Sequence, residues 1–487
     1  MTELQLITWI LLIPVIASVG ILITGKYPNL REAVSIFAGI GLFSLVAQLA
    51  AITSLENPQS LVLAEPIPGL TLSLSLEPLG LLFALVASFL WPITILYAIG
   101  YMRTHQEKNQ TRFYAAFAVS IAAAMGIALS ENMLTLFVFY EILTLSTYPL
   151  VTHAGNEKSR KAGRVYLGLL MGTSVGFLLL AMIWTWQLTG TLDFKHGGVF
   201  SAEADPAILG VLLVLYVIGT GKAAIMPFHR WLPAAMVAPT PVSALLHAVA
   251  VVKAGVFTIL KVSVYLFGID TIAGLAVADW LAGLAGLTIL LASLIAMTKD
   301  NLKTRLAYST ISQLSYIIMG AMLGVTAGII GGGMHIAMHA FGKITLFFCA
   351  GAIMVAAHKT KVSELDGLGR RMPFTMLAFL IGSLSIVGLP PFGGTWSKWM
   401  LIQGTMDNGI WLFTMVLLIS SLLNIAYLVV IPVRAFFKPE NNSNAASPTA
   451  INEAPLASLL AISIAVTGCI LLFFWSEPIY QLLGGIF

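Results

Sequence analysis

GTGKAAIMPFHRWLPAAMVAPTP, residues 219–241, is the stretch that decides how this chain folds. It continues an apolar run long enough to enter a bilayer, yet it carries Lys222 and then Pro227 and Pro233. A second stretch, LSIVGLPPFGGTWSKWM at 384–400, sets Pro390-Pro391 and Gly393-Gly394 before Lys398. Proline removes a backbone donor and glycine frees the chain, so each run predicts a membrane helix broken near its middle. A central lysine marks each break.

The composition fits a membrane setting. Of 487 residues, 58% are hydrophobic and 9% are charged, where a soluble domain carries about 25% charged. Mean hydropathy is +0.94. These values predict an all-α integral membrane protein, because a helix satisfies its own backbone in lipid. Windows of ~20 apolar residues give about fourteen spans, at 5–24, 33–53, 77–101, 112–129, 133–152, 162–188, 207–226, 241–267, 272–297, 304–324, 327–357, 373–404, 409–437 and 455–480. The first has an acidic flank (Glu3) and no basic n-region, so it reads as a span rather than a cleaved signal. The stretch 58–76, with Pro, Gly and alternating Leu/Ser, predicts an extracytoplasmic hairpin.

The broken runs are the seventh and twelfth spans. They are five apart, so they cross in opposite directions. That predicts two inverted five-helix repeats, spans 4–8 and 9–13, with sites at the broken helices. The chain then divides into 1–105 (three helices and the hairpin), 106–268 (first repeat), 269–438 (second repeat) and 439–487 (last helix).

Basic residues test the count. Nineteen of the 25 Lys and Arg fall in odd-numbered connections or the span ends beside them. Only Lys195 and Lys261 fall in even ones, and Lys222, Lys253, Lys343 and Lys398 lie inside spans. The positive-inside rule puts the odd connections in the cytoplasm and both termini outside. The small excess of positive charge speaks to topology, not nucleic acid. Cys349 and Cys469 sit in apolar runs and read as packing residues with no metal or disulfide pattern.

Charge in a bilayer interior is costly and persists mostly where it conducts or binds ions. In LTLFVFYEILTLSTYPLV (134–151), Glu141 is the acid placed deep in a span. Glu141 and Lys222 are predicted to pair, either as a static bridge or as a switch that releases the lysine proton when the acid withdraws. In MHIAMHAFGKITLFFCAG (334–351), His335, His339 and Lys343 recur every four residues, about 6 Å apart in rise along one helix face. That spacing suits a proton relay; zinc would lack a carboxylate or Cys to complete its sphere and would be repelled by Lys343. In SALLHAVAVVKAG (243–255), His247 and Lys253 are six residues apart, about 240° on a regular helix, so they should face different sides. His229, Arg230 and His358 read as boundary residues. No Walker motif, GxGxxG after a strand, iron–sulfur cysteine cluster or serine-nucleophile context occurs, so this chain alone is expected neither to hydrolyse nucleotides nor to carry electrons, and to hold no cofactor.

Taken together, FVFYE with Glu141, the block GKAAIMPFHRWLPAAMVAPTPVSALLHA (221–248), Lys253, the His335/His339/Lys343 trio and Lys398 after GLPPFGG resemble the proton-conducting antiporter-like subunits. These are shared by respiratory complex I, membrane-bound hydrogenases and Mrp-type multisubunit Na+/H+ antiporters. The resemblance covers the whole chain and implies fourteen helices with two inverted repeats. It implies a proton path through Glu141, Lys222, His247, Lys253, His335, His339, Lys343 and Lys398, in a multi-pass protein of a bacterial or archaeal cell membrane. The partners it implies are other hydrophobic subunits, protons and Na+. Some members carry Glu where this chain has Lys398. The resemblance leads one to expect a chain that stops after the fourteenth span, without the lateral helix of the largest members. The connections THAGNEKSRKAGRVYLG (152–168) and HKTKVSELDGLGRRMPFT (358–375) look like the D-type subunit of Mrp antiporters, with a proton-pumping subunit of a redox-driven complex as the alternative. Na+ wants several oxygen ligands and one deep acid does not supply them, which leaves a subunit interface for that ion.

Overall fold

The computed structural model describes residues 1–53, 55, 58–201, 203–439 and 451–487. Residues 440–450, at the start of the predicted 439–487 segment, lie outside them. The helices are α1 (Glu3–Ile23), α2 (Pro28–Ile52), α3 (Pro78–Thr104), α4 (Gln110–Ala128), α5 (Met133–Val151) and α6 (Glu157–Thr189). Then come α7 (Pro206–Gly219 and, past a break, Trp231–Ala234), α8 (Thr240–Phe267), α9 (Ala276–Thr298), α10 (Leu302–Met322) and α11 (Thr326–Ala357). After them come α12 (Pro373–Val387 and, past a break, Gly394–Asp407), α13 (Trp411–Phe437), α14 (Leu456–Phe474) and a short α15 (Glu477–Gly484), and a six-residue helical stretch, Ile269–Gly274, leads into α9. The predicted hairpin is present: β1 (Leu61–Ile67) pairs antiparallel with β2 (Leu70–Leu74).

Among the described residues, eleven helices are long and apolar enough to cross a membrane. The three spans that fall short are informative. Two are the broken α7 and α12. The third, α10, is interrupted by Ser309, Thr310, Ser312, Gln313 and Ser315, all buried. The fourteenth span ends at Phe474, short of the predicted 480, because Glu477-Pro478 opens a new helix.

Hydrogen bonds across connections show which ends share a face. On one side, Arg31 donates to Gln110 Oε1 (2.8 Å), Arg112 to the His153 carbonyl (2.9 Å) and Lys303 to the Ala238 carbonyl (2.5 Å). There too the Leu302 N–H donates to the Thr360 carbonyl and Arg434 grips Asp366 with two bonds of 2.7 and 3.0 Å. These join odd connections from the first to the thirteenth. On the other side, Asn132 donates to the Thr71 carbonyl, the Phe194 N–H to the Glu131 carbonyl and the Val199 N–H to the Leu266 carbonyl. Both chain ends are there, with Gln59 N–H on Glu3 and His196 Nδ1 on the Ile486 carbonyl. Fourteen crossings place every odd connection with the other odd ones. Lys261 is not in a connection but inside α8, 1% exposed, with Nζ 3.2 Å from Glu77 Oε1.

Arg434 holds the Asp366 carboxyl below the usual aspartate range through its hydrogen bonds. A lowered folded value adds stability above the ordinary aspartate value of about 3.9, and that stability is lost as pH falls through the folded value. The pair lies at the end of α13, where Asp366 is covered but the Arg434 side chain is 27% exposed and partly screened by water. Asp366→Asn is therefore expected to cost on the order of 1 kcal/mol at neutral pH and to flatten the acid limb below it, read from thermal unfolding in detergent.

The core sits around α3, α8, α10 and α11. The apolar length of α8 is wholly buried, whereas α2 and α14 bury 28% of theirs and face outward. The second repeat copies the first in its parts. A helix of 33 residues (α6) or 32 (α11) is followed by a broken helix and then by a helix with a π turn, Leu245–Val249 in α8 and Ile425–Val429 in α13. Each break holds a residue at positive φ (Ala224, Gly388) and a cis X–Pro bond (Met226–Pro227, Pro390–Pro391).

Candidate functional site

Lys222 sits in a short 3-10 turn, Gly221–Ala223, within the α7 break. Its ammonium donates to the Tyr140 carbonyl (2.8 Å) and Thr144 Oγ1 (2.6 Å) and lies 3.1 Å from the Tyr140 ring centroid. The predicted ion pair with Glu141 is not formed. Both carboxylate oxygens of Glu141 are buried without a hydrogen-bond partner. Helix geometry explains this. Tyr140 and Thr144 are four apart and share one stripe of α5, while Glu141 is turned about 100° away from Tyr140. The carboxylate still acts on Lys222 through its field.

The α7 break reaches the middle of the molecule by pressing on α8. A Cβ at Gly255 would lie 2.3 Å from Ala223 N and 2.4 Å from Lys222 C, so glycine is what permits the approach. Two residues earlier in α8, Lys253 Nζ meets His339 Nδ1 of α11 at 2.6 Å. The His339 and His335 rings are 5.6 Å apart. His335 bonds Ser397 of α12 (2.9 Å) and Gln313 of α10 (3.2 Å). Lys343 donates to Ser309 Oγ (2.6 Å), which also accepts from the Tyr427 hydroxyl (3.0 Å). All three residues of the α11 trio are thus partnered across helices, and all are buried.

His247 also faces α11, its ring 4.5 Å from Phe347, with both ring nitrogens unpartnered. The expectation that His247 and Lys253 face different sides is therefore corrected. His247 lies in the π turn Leu245–Val249, and the wider turn with its irregular end at Ala250 undoes the 240° offset of a regular helix.

Lys398 donates to the Val387 carbonyl (3.1 Å) and Ser421 Oγ (3.0 Å) and lies 4.9 Å from the Tyr316 ring. Its neighbour Ser397 bonds His335, which ties this lysine to the row. Each half thus has a lysine from a broken helix against a tyrosine of the second helix of its repeat: Lys222 on Tyr140, Lys398 on Tyr316. The residue after that tyrosine is Glu141 in the first half and Ile317 in the second. Sequence reasoning missed Tyr140, Thr144, Tyr316, Ser309 and Gln313. The run of polar residues in α10 was the available signal.

Among the described residues, no group of three or more His, Cys, Asp or Glu could hold a metal ion.

Comparison with known proteins gives a consistent result. Residues 130–424 match the model of the family described as NADH:quinone oxidoreductase/Mrp antiporter, transmembrane. NADH-quinone oxidoreductase subunit N of Desulforudis audaxviator is 32% identical over 465 residues, 90% of this chain and 91% of that protein. A Na(+)/H(+) antiporter subunit of Alkalihalophilus pseudofirmus is 31% identical over 85% of this chain, which spans 53% of that longer protein. Among solved structures, a chain of the Mrp complex from Dietzia sp. superimposes with a TM-score of 0.81 at 27% identity, over 98% of this chain and 51% of that one. A chain of an archaeal membrane-bound sulfane sulfur reductase has the same fold, with a TM-score of 0.84 at 22% identity, covering 99% and 96%. The polypeptide therefore belongs to the NADH:quinone oxidoreductase/Mrp antiporter transmembrane family.

Proposed function

We propose that this chain is the proton-translocating membrane subunit of a multisubunit Na+/H+ antiporter, of the D type. Its path runs from Glu141 and Lys222 through Lys253, His339, His335 and Lys343 to Lys398, with His247 beside it. The observation that carries this reading is the 2.6 Å contact of Lys253 with His339, which links the first repeat to the second in a fully buried setting. An unprotonated imidazole nitrogen accepts from an ammonium at that distance, so a proton can pass between helices. The basic face is cytoplasmic and both termini are outside in this reading. Na+ moves at an interface with other hydrophobic subunits.

The near full-length similarity to a subunit N favours a second reading, a proton-pumping subunit of a redox-driven complex. Purification from native membranes separates the two. Small hydrophobic partners without chromophores support the antiporter; flavin or iron–sulfur absorbance assigns the chain to the redox complex. Proteoliposomes of the purified assembly that move no protons under either driving force would reject both readings. Within the assembly, His339→Ala is expected to lower proton movement on the order of a hundredfold, measured with a pH dye in everted vesicles.

A further inference from the structure

A cavity of about 290 Å³ opens on the basic face between α3, α10, α11 and the connection that precedes α8. Its wall includes Tyr101, Glu107, Lys158, Lys303, Lys359 and the backbone at Ala238. None of these belongs to the row of buried charges. Glu107 lies in the connection after α3, its side chain 22% exposed. His105 Nε2 and His153 Nε2 each stand 3.9 Å from its carboxylate. His153 is buried, and neither of its ring nitrogens has a hydrogen-bond partner. Lys108 and Arg112 flank His153, and Lys158, Lys303 and Lys359 face the cavity from α6, α10 and the connection after α11.

The inner wall leads toward the row. Pro239 lines the cavity and Thr240 follows it, with a buried hydroxyl that has no hydrogen-bond partner. Seven residues on, about two turns along α8, comes His247 with both ring nitrogens unpartnered. Opposite them on α11, Gly351 leaves room for the Thr240 side chain and the Tyr97 hydroxyl, and the Phe347 ring lies 4.5 Å from that of His247 at a tilt of 38°. Buried polar atoms without protein partners are ordinarily satisfied by water. The Thr240 hydroxyl and the His247 ring are two such groups, about two turns apart on the helix that begins next to the cavity wall.

We propose that this cavity is a proton port on the basic face, in which Glu107 exchanges protons with the aqueous phase and Thr240 and water pass them to His247. The inference rests on the proton-path reading above. In the inward direction, an acid in bulk water gives its proton to the Glu107 carboxylate. The carboxylic acid then protonates the water chain past Thr240, and His247 takes the proton at a ring nitrogen. Each hop moves one proton and needs no other reactant. Burial raises the Glu107 carboxyl above its ordinary range, against the pull of His105 and Lys303, which brings it nearer the pH at which a proton is both taken and released.

The test uses the assembled complex in everted membrane vesicles, which present the cytoplasmic face outward. Glu107→Gln is expected to slow proton movement on the order of tenfold and to remove the rate's dependence on pH at that face, while Glu107→Asp restores both. A purely structural role for Glu107 would not move the pH profile. Val237→Cys supplies a second measurement, because Val237 lines the same cavity. Labelling it with a membrane-impermeant maleimide added outside the everted vesicles should block transport. Wild-type rates in Glu107→Gln, or full transport after complete labelling of Val237→Cys, would overturn the port. If those variants behave as wild type while Lys222→Ala and Lys398→Ala are dead, the port alone fails. If Lys222→Ala and Lys398→Ala transport normally, the path reading itself fails.

Discussion

Lys222→Ala and Lys398→Ala are each expected to abolish Na+-driven proton movement in everted vesicles, a loss on the order of a hundredfold or more, while the complex still assembles on native gels. In the proposed path each ammonium is the group that binds and releases the proton at a helix break, and its partners offer no substitute. They are backbone carbonyls and hydroxyls: Tyr140 and Thr144 for Lys222, Val387 and Ser421 for Lys398. Arginine provides the sharper comparison. Its guanidinium keeps the charge but does not give up a proton in proteins. Lys222→Arg should therefore assemble and fail to transport, which a merely structural cation would not do. Glu141→Gln should assemble, because no direct bridge to Lys222 is lost, and should slow transport through the missing field. Normal transport in Lys222→Arg would sink the path.

Gly255→Ala is expected to cost stability and transport together. The added Cβ meets backbone atoms of Lys222 and Ala223 at 2.3–2.4 Å, and backbone yields less readily than a side-chain tip. Overpacking of this kind costs about 1–3 kcal/mol, and relief requires the α7 break to retreat from α8 and carry Lys222 with it. Gly394→Ala should act alike in the second half, where the Cβ would stand 1.9 Å from the Ser385 carbonyl oxygen. Gly283→Ala is the control, since nothing lies within 4 Å of its added carbon. Thermal unfolding of the purified complex and the vesicle assay read the two effects. Wild-type stability and transport in Gly255→Ala would remove the argument that this glycine sets the position of Lys222.

Much of this was legible in the sequence because membrane helices obey few rules. Apolar runs and the alternation of basic residues separate the two faces, and the interfacial bonds of Arg31, Arg112, Lys303 and Arg434 fall where that alternation puts them. Proline and glycine mark both breaks. What the sequence hides is direction within a helix. A 100° turn separates Tyr140 from Glu141, so Lys222 meets the tyrosine's stripe and not the acid predicted to pair with it. The π turn around His247 leaves no composition signal, and it changes which helix that ring meets. Lys261 counts with the even connections as a residue near the end of span 241–267, and its partner Glu77, distant in sequence, is not foreseen. Ser309 and Gln313 stand in the polar run of α10, and the sequence does not say that they meet Lys343 and His335.

The 5.6 Å between the His335 and His339 rings has a further meaning for traffic. Two unit charges at that spacing repel by about 3 kcal/mol at an effective dielectric of ~20. That is roughly a hundredfold bias against both imidazoles being protonated together. On the proposed path the pair therefore seats one passenger at a time. A second proton can arrive only after the first has moved on, which makes this stretch a turnstile and lets events in one half be counted by the other.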